Sequence, residues 1–188
     1  MKNDIIIIGL TALPGGGKDY IGDFISKEYH FFKISPGDII REKLAKMRSG
    51  KINREQQQKL QSILRKKYGE NYVMELCLKR IKKEKADKAV ISGIRFPNDI
   101  KFFKKQKGIK FFNIFIYAPI KVRFQRTLDR KRADVPPSYK DFIKDDKREK
   151  EIFHLDMTEK LSDFKLRNSE NNSRELYKKI DILMKKVI

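Results

Sequence analysis

Apolar residues follow two different spacings along the chain. Short runs of branched or aromatic residues predict strands, whereas apolar residues three and four positions apart predict amphipathic helices. The strand-like runs lie at 4–10, 30–34, 88–92, 109–117 and 164–166. The helix-like segments lie at 18–27 and 38–47, around Leu60 and Leu76, after Pro97, Pro119 and 130–146, and from Ser173 onward. Strands that alternate with helices indicate βαβ units, so the pattern predicts a three-layer α/β fold with a five-stranded parallel sheet.

The length and cysteine content narrow the class of protein. A chain of 188 residues is expected to form a single domain, 1–188. Its one cysteine, Cys77, excludes a disulfide framework and a multi-cysteine zinc site, and we expect it in the core. No apolar run approaches the ~18 residues of a membrane span, and the N-terminal apolar block lacks the cleavage site of a signal peptide. We therefore expect a cytoplasmic protein without a membrane partner.

The charge is strongly positive, with 45 Lys and Arg residues against 25 Asp and Glu residues and a net charge of +20. Such a charge raises the question of nucleic-acid binding. The basic residues are spread along the whole chain without a basic tail, however, which favours a lysine-rich solvated surface. We therefore do not favour nucleic acid as the partner, although the charge should attract polyanions such as nucleotides.

The most specific chemical signal is the run A-L-P-G-G-G-K-D-Y directly after the first strand-like block. Consecutive glycines between a strand and a helix let backbone amides point into one concavity, and the following lysine can reach the β- and γ-phosphates of ATP. The run predicts a phosphate-binding loop made of Leu13, Pro14, Gly15, Gly16, Gly17, Lys18, Asp19 and Tyr20.

Two residues depart from the usual pattern G-x-x-x-x-G-K-[ST]. Ala12 replaces the first glycine, which costs little if its φ angle is negative. Asp19 replaces the hydroxyl residue that usually binds Mg²⁺. A carboxylate beside phosphates repels them unless a cation lies between, so Asp19 either ligates Mg²⁺ or points away as an acid at the helix N-terminus.

A second motif follows the second strand-like run, where I-S-P-G-D-I-I-R ends at Arg41. It resembles the I-S-T-G-D-x-x-R of adenylate kinases, with Pro36 in place of threonine. The resemblance implies that Gly37 lies against the acceptor base and that Arg41 binds the acceptor phosphate, and Asp38 is a candidate to orient the acceptor. The substitution at Pro36 leaves the base preference open.

A third motif, S-G-I-R-F-P-N, begins at Ser92. It resembles the D-G-x-R of archaeal adenylate-kinase-related proteins and the D-V-R-F-P-N of phage-type deoxynucleotide monophosphate kinases. Both families carry an aspartate where this chain has Ser92, so the usual carboxylate near Mg²⁺ is missing. The resemblance implies that Arg95 is a second ligand of the acceptor phosphate. The run Y-G-x-x-x-V-x-x-L-C, which ends at Cys77, also resembles the archaeal group and implies acceptor-binding helices within 36–85.

Arginines recur after the fourth strand-like run, and a short lid is expected at 130–146. By the adenylate-kinase resemblance, Arg126 and Arg130 would lie over the donor and act as catalytic residues with Lys18, and Arg148 is a weaker candidate. Asp134, Asp145 and Asp146 are expected to pair with the arginines of this region, which also include Arg123 and Arg132. The two histidines, His30 and His154, have no ligand partner at metal spacing and are expected to be structural.

Together these motifs resemble the nucleoside-monophosphate-kinase-like branch of P-loop proteins, nearest the archaeal adenylate-kinase-related group, with dephospho-CoA kinases as cousins. The resemblance implies a P-loop kinase that uses ATP and Mg²⁺ and acts on a small nucleotide acceptor. We expect the protein to be a monomer or homodimer. The alternative is a nucleotide-dependent regulatory or RNA-associated ATPase without a small-molecule acceptor. The departures at Ala12, Asp19 and Ser92 keep that alternative open.

Overall fold

The computed structural model describes residues 4–47, 54–130, 138–169 and 173–188. Its strands are β1 Ile5–Ala12, β2 Phe32–Ile34, β3 Lys88–Ser92, β4 Ile109–Tyr117 and β5 Phe164–Arg167. They form one sheet in the order β2-β3-β1-β4-β5, and every pair is parallel. The predicted five-stranded parallel sheet is confirmed, with β1 paired on both sides.

Helices cover both faces of this sheet. Their bounds are α1 Lys18–Tyr29, α2 Pro36–Met47, α3 Arg54–Tyr68, α4 Tyr72–Lys83, α5 Pro97–Lys104, α6 Ile120–Asp129, α7 Tyr139–Ile152, α8 Leu155–Leu161 and α9 Ser173–Met184. Successive side chains of β1 point to opposite faces. Ile7 packs with α2–α5 on one face, and Ile8 packs with α1 and α9 on the other. These two clusters make the three layers that the periodicity predicts.

The helices α2, α3 and α4 form the predicted insertion between β2 and β3. Their apolar residues join the core cluster on that face of the sheet, where Cys77 is fully buried, as expected. Both histidines are exposed and have left-handed backbone conformations, with His30 ending α1 and His154 preceding α8. No helix in the described parts of the chain has the length and apolarity to cross a membrane.

The expected lid at 130–146 needs correction, and one helix is not predicted. Residues 139–146, the second half of the predicted lid, form the start of α7, and Phe142 and Asp146 are buried there. The expected pairing of Asp146 with an arginine of this region is confirmed, since Asp146 forms a buried ion pair with Arg123. The first half of the lid, with Arg132 and Asp134, lies outside the described residues. The short helix α8 is not predicted by the sequence pattern.

Candidate active site

The phosphate loop joins the end of β1 to the start of α1. The amide of Gly16 donates to the carbonyl of Leu13 over 2.9 Å and closes a tight turn. Gly15 has φ +77° and Gly17 has φ +93°. A Cβ atom at Gly15 would lie 2.3 Å from the carbonyl oxygen of Arg123, and one at Gly17 would lie 2.2 Å from Nδ2 of Asn168. Both positions therefore require glycine, for conformation and for space.

Ala12 does not need to be glycine. It is the last residue of β1, and the described non-glycine residues with positive φ are elsewhere in the chain. Gly17 precedes α1 without a side-chain cap, so the first amides of the helix are open to an anion. The ring of Tyr20 stacks on that of Tyr177 of α9.

Asp19 is the second residue of α1, and its carboxylate faces the end of β3. Its Oδ1 accepts hydrogen bonds from Nζ of Lys18 over 2.7 Å and from Oγ of Ser92 over 2.6 Å. Asp19 lies in the first turn of α1, as the sequence pattern predicts, and its carboxylate is held between Lys18 and the end of β3. The carboxylate is 40% exposed, whereas Ser92 is almost fully buried.

The electrostatics of the loop reflect these contacts. Burial lowers the pKa of Lys18, and the charges of Arg95 and Arg130 lower it further against the attraction of Asp19. For Asp19, burial alone would raise the pKa, but the ammonium of Lys18 and hydrogen bonds from Lys18 and Ser92 bring the pKa down to about 2. The loop thus combines a crowded set of cations with one ionised carboxylate.

Arg126 and Arg130 lie beside the phosphate loop. Arg126 donates to the backbone oxygen of Asn168 over 3.0 Å, and its Nη1 is 4.0 Å from a Cβ position at Gly17. Burial lowers the pKa of Arg126, and the nearby charge of Arg130 adds to the effect. These two arginines and Lys18 carry like charges in one small region, an arrangement that a polyanion would neutralise.

Arg123 has a different place from the other arginines of its segment. It is buried and forms a two-point ion pair with Asp146, with Nη2 to Oδ2 at 3.0 Å. Its Nε donates to the carbonyl of Ala118 over 2.9 Å, and Nη1 donates to that of Pro14 over 3.3 Å. Arg123 therefore holds the phosphate loop against α6 and α7. Arg148 pairs on its own exposed helix face with Asp145.

The acceptor turn lies at the start of α2. The amide of Gly37 donates to Oγ of Ser35 over 3.1 Å, and Arg41 packs against Gly37. Arg41 donates to Oε1 of Gln57 over 3.3 Å and forms an ion pair with Asp38. The turn is open to solvent, because Arg41 and Asp38 are each about half exposed.

The loop that carries Arg95 is held by residues that no motif pointed to. The buried carboxylate of Asp99 accepts hydrogen bonds from the amides of Arg95 and Phe96, each over 3.1 Å. Arg65 of α3 donates to Asp99 over 2.9 Å, and Thr158 of α8 donates to the carbonyl of Arg95 over 3.0 Å. These contacts fix the backbone of the loop at the end of β3.

Asn168 is the other residue that sequence reasoning missed. Its Nδ2 donates to the carbonyl of Gly16 over 2.9 Å, and its own oxygens accept from Arg126. Asn168 thus links the phosphate loop to a candidate catalytic arginine. Its position directly after β5, at the carboxyl edge of a parallel sheet, is the signal that could have found it.

Comparison with known proteins gives a family. No family model matches the chain. A UPF0200 protein of Methanococcus vannielii is 35% identical over 185 residues, which cover 97% of this chain and 96% of that protein. A UPF0200 protein of Methanothermobacter thermautotrophicus is 31% identical over 148 residues, covering 78% and 73%. The chain belongs to the UPF0200 family.

Solved structures identify the fold of this UPF0200 protein. The shikimate kinase of Acinetobacter baumannii, solved in complex with shikimate, has a TM-score of 0.63 at 14% identity and covers 98% of this chain and 95% of its own. The shikimate kinase of Aquifex aeolicus has a TM-score of 0.55 at 17% identity, covering 95% and 96%. The fold is that of P-loop kinases.

Proposed function

We propose that this UPF0200 protein is a kinase that transfers the γ-phosphoryl group of ATP, with Mg²⁺, to a small nucleotide-type acceptor. A nucleoside or deoxynucleoside monophosphate is the first acceptor class, and dephospho-CoA is the second. The observation that supports the proposal is the contact between the donor and acceptor sides. Ser92 bonds Asp19 beside the phosphate loop, and a Cβ at the next residue, Gly93, would lie 3.4 Å from Cδ of Pro36 in the acceptor turn.

On the donor side, the amides of 15–20 and the ammonium of Lys18 would bind the triphosphate. Phosphoryl transfer needs in-line positioning and neutralisation of charge on the transferred group more than covalent chemistry from the protein. Arg126 and Arg130 would supply that neutralisation. Asn168 would hold the side chain of Arg126 in a fixed position beside the loop.

On the acceptor side, Arg41 and Arg95 would bind the acceptor phosphate. A guanidinium suits this task because its planar fork matches two phosphate oxygens. Gly37 would leave room for the base, and Asp38, which is paired with Arg41, would orient the acceptor once the phosphate takes that arginine. Asp99 and Thr158 would act on Arg95 through the backbone of its loop.

The residues present fit Mg²⁺ brought by the nucleotide. The described residues contain no group of three His, Cys, Asp or Glu side chains that could hold a metal by themselves. Mg²⁺ is usually bound by one or two carboxylates together with substrate phosphates, and Asp19 supplies one carboxylate beside the loop. When bound, the ion would neutralise charge on the β- and γ-oxygens.

The test is a search for the acceptor. Purified protein is incubated with ATP, Mg²⁺ and single candidates: each nucleoside and deoxynucleoside monophosphate, dephospho-CoA, shikimate, and a structured RNA. Formation of ADP and of the phosphorylated product is followed by mass spectrometry. We expect ADP formation to depend on one nucleotide-type acceptor and to equal the product formed.

Two lysine variants on α1 complete the experiment, one as the test and one as the control. Lys18→Ala should abolish ATP binding while the circular dichroism spectrum is unchanged, because it removes the charge that meets the phosphates. Lys27→Ala, a change at an exposed lysine in the last turn, should leave turnover unchanged. ATP hydrolysis that is independent of every acceptor and stimulated by RNA would contradict the kinase proposal and favour the RNA-associated ATPase.

A further inference from the structure

The hydroxyl and the carboxylate of the usual magnesium site occur in this chain with their positions exchanged. In P-loop NTPases a hydroxyl residue directly after the loop lysine binds Mg²⁺, and an aspartate at the end of a neighbouring strand supports it. This chain has a carboxylate, Asp19, directly after Lys18 and a hydroxyl, Ser92, at the end of β3. Strand β3 is paired directly with β1, with Ser92 opposite Leu10.

The two exchanged side chains are in contact. Ser92 Oγ donates to Asp19 Oδ1 over 2.6 Å. Ser92 is 1% exposed, so the orientation of its hydroxyl is fixed, whereas the carboxylate of Asp19 is 40% exposed. A buried hydroxyl that holds a partly exposed carboxylate is the arrangement in which an outer residue orients a metal ligand.

An ionised carboxylate at this position needs a cation in the nucleotide complex. The carboxylate of Asp19 accepts hydrogen bonds from the ammonium of Lys18 and from the hydroxyl of Ser92, so its negative charge lies near the amides that would bind a triphosphate. In the structure its partner is Lys18, at 2.7 Å. When Lys18 turns to the phosphates, Asp19 and the phosphates repel one another unless another cation lies between them.

We infer that the hydroxyl and the carboxylate of the magnesium site have exchanged positions in this protein. Asp19 binds the Mg²⁺ that accompanies ATP, and Ser92 is a positioning residue that orients Asp19. The inference rests on the proposed function, because the cation is the one that arrives with the nucleotide. The competing role for Asp19 is that of a simple counter-ion to Lys18, which requires no metal.

Calorimetric titration with a non-hydrolysable ATP analogue separates these roles without measuring activity. The dissociation constant is determined in Mg²⁺ and again in EDTA, and the ratio of the two constants is the magnesium enhancement. Asp19→Asn keeps the shape of the side chain and removes its charge. It should lower the enhancement by about tenfold or more, the effect of disturbing a metal ligand. Asp23→Asn, which alters a largely exposed carboxylate on the same helix, is the matched control and should leave the enhancement unchanged.

The exchange itself is tested by reversing it. Ser92→Ala should lower the enhancement by about ten- to a hundredfold, because the orienting bond is lost. Ser92→Asp alone places two carboxylates side by side near the phosphates. This variant should bind the ATP analogue weakly, because the two negative charges repel each other and the phosphates. The double variant Asp19→Ser with Ser92→Asp restores the usual arrangement and should recover most of the enhancement. Circular dichroism and thermal unfolding establish that each variant is folded, and Asp19→Asn and Ser92→Ala carry the test if the double variant is not.

The outcomes separate the two proposals. Asp19→Asn with the native enhancement would overturn the exchange and leave nucleotide binding intact, as would a native protein that binds the analogue equally well in EDTA. A native protein that does not bind the analogue in either buffer would overturn the proposed function and the exchange together. Loss in Asp19→Asn and recovery in the double variant would establish the exchange.

Discussion

Ala12 and Asp19 show that two departures from one motif can have very different weight. Ala12 ends a strand in ordinary extended conformation, so the missing glycine changes nothing in the backbone. Asp19 replaces a neutral group with a charged one in contact with Lys18 and Ser92. The substitution at Ala12 affects only the space around the backbone, and the extended strand has room for it. The substitution at Asp19 changes the charge next to the lysine that would bind the phosphates.

Arg41 provides the prediction at this scale. Arg41→Ala should raise the KM for the acceptor by about ten- to a hundredfold, the range expected for lost hydrogen bonds to a charged group, and change the KM for ATP little. Steady-state kinetics with each substrate varied in turn would measure both constants. Arg80→Ala is the matched control, since Arg80 is also an exposed arginine of the helical insertion paired with an acid, Glu42. Equal rises in both KM values would show that the acceptor site lies elsewhere.

The sequence locates site residues when they belong to a local motif, and it fails when a contact joins distant segments. The loop of 13–17 and the turn at Gly37 are each contained within a few residues, so their spacing is visible. Asn168 meets Gly16 across 152 positions, and neither residue carries a local signal of the other, because only the position of β5 in the sheet brings them together. The pairing of Asp146 with Arg123 is predicted and confirmed, because both residues belong to one charged segment of the sequence.

At the scale of elements, the ion pair between α6 and α7 holds in place an arginine that contacts the phosphate loop. Arg123 reaches from α6 to Asp146 of α7 and to the carbonyl of Pro14 in the loop. A Cβ at Gly15 would collide with the backbone of Arg123, so the helix and the loop are in direct contact. A change in how α6 and α7 pack would therefore move the loop.

Asp146→Asn tests this support. Removing one partner of a buried ion pair leaves an uncompensated charge, so the free energy of unfolding should fall by about 3 kcal/mol, the lower part of the usual range because Arg123 keeps two carbonyl partners. Urea denaturation would measure the change. Asp145→Asn, a change at the neighbouring and exposed carboxylate, should alter stability by less than about 0.5 kcal/mol. A similar loss in both variants would mean that the pair does not support the fold.

The sequence pattern predicts the strands well, including the short ones, but it misses one short helix. The bounds of β3 and β4 agree with the sequence pattern, because continuous apolar runs end at clear turn residues. The helix α8 has seven residues, too few for a helical period to be recognised. The expected lid at 130–146 includes the start of α7, because the charged residues on either side of Phe142 obscure the apolar position through which this helix packs.

At the scale of the whole molecule, the helical insertion and the sheet share one core. Cys77 of α4 packs in the same cluster as Ile7 of β1 and Ile91 of β3. A shared core predicts that the insertion and the sheet unfold together. Burial also raises the pKa of the Cys77 thiol, so the thiol stays protonated and unreactive in the folded protein.

Thiol labelling tests that cooperativity. A disulfide reagent should label the native protein very slowly and label one thiol per chain in denaturant, because Cys77 is the one cysteine. An ATP analogue at 100 times its dissociation constant should slow native labelling by about a hundredfold, since it stabilises the fold by about 2.7 kcal/mol. Absorbance of the released thiolate gives the rate. Labelling that the analogue does not slow would indicate that the insertion opens separately from the sheet.

The position of β1 has a mechanical consequence for the proposed reaction. The strand that leads into the phosphate loop is the middle one of five, hydrogen-bonded to β3 on one side and to β4 up to Ala12 on the other. Displacing the loop would break both ladders at once, whereas β2 and the helices beyond it are joined to the sheet along one side only. The triphosphate would therefore bind to a part of the protein that stays in place. Any movement needed to bring the two substrates together would be made by the elements that bind the acceptor.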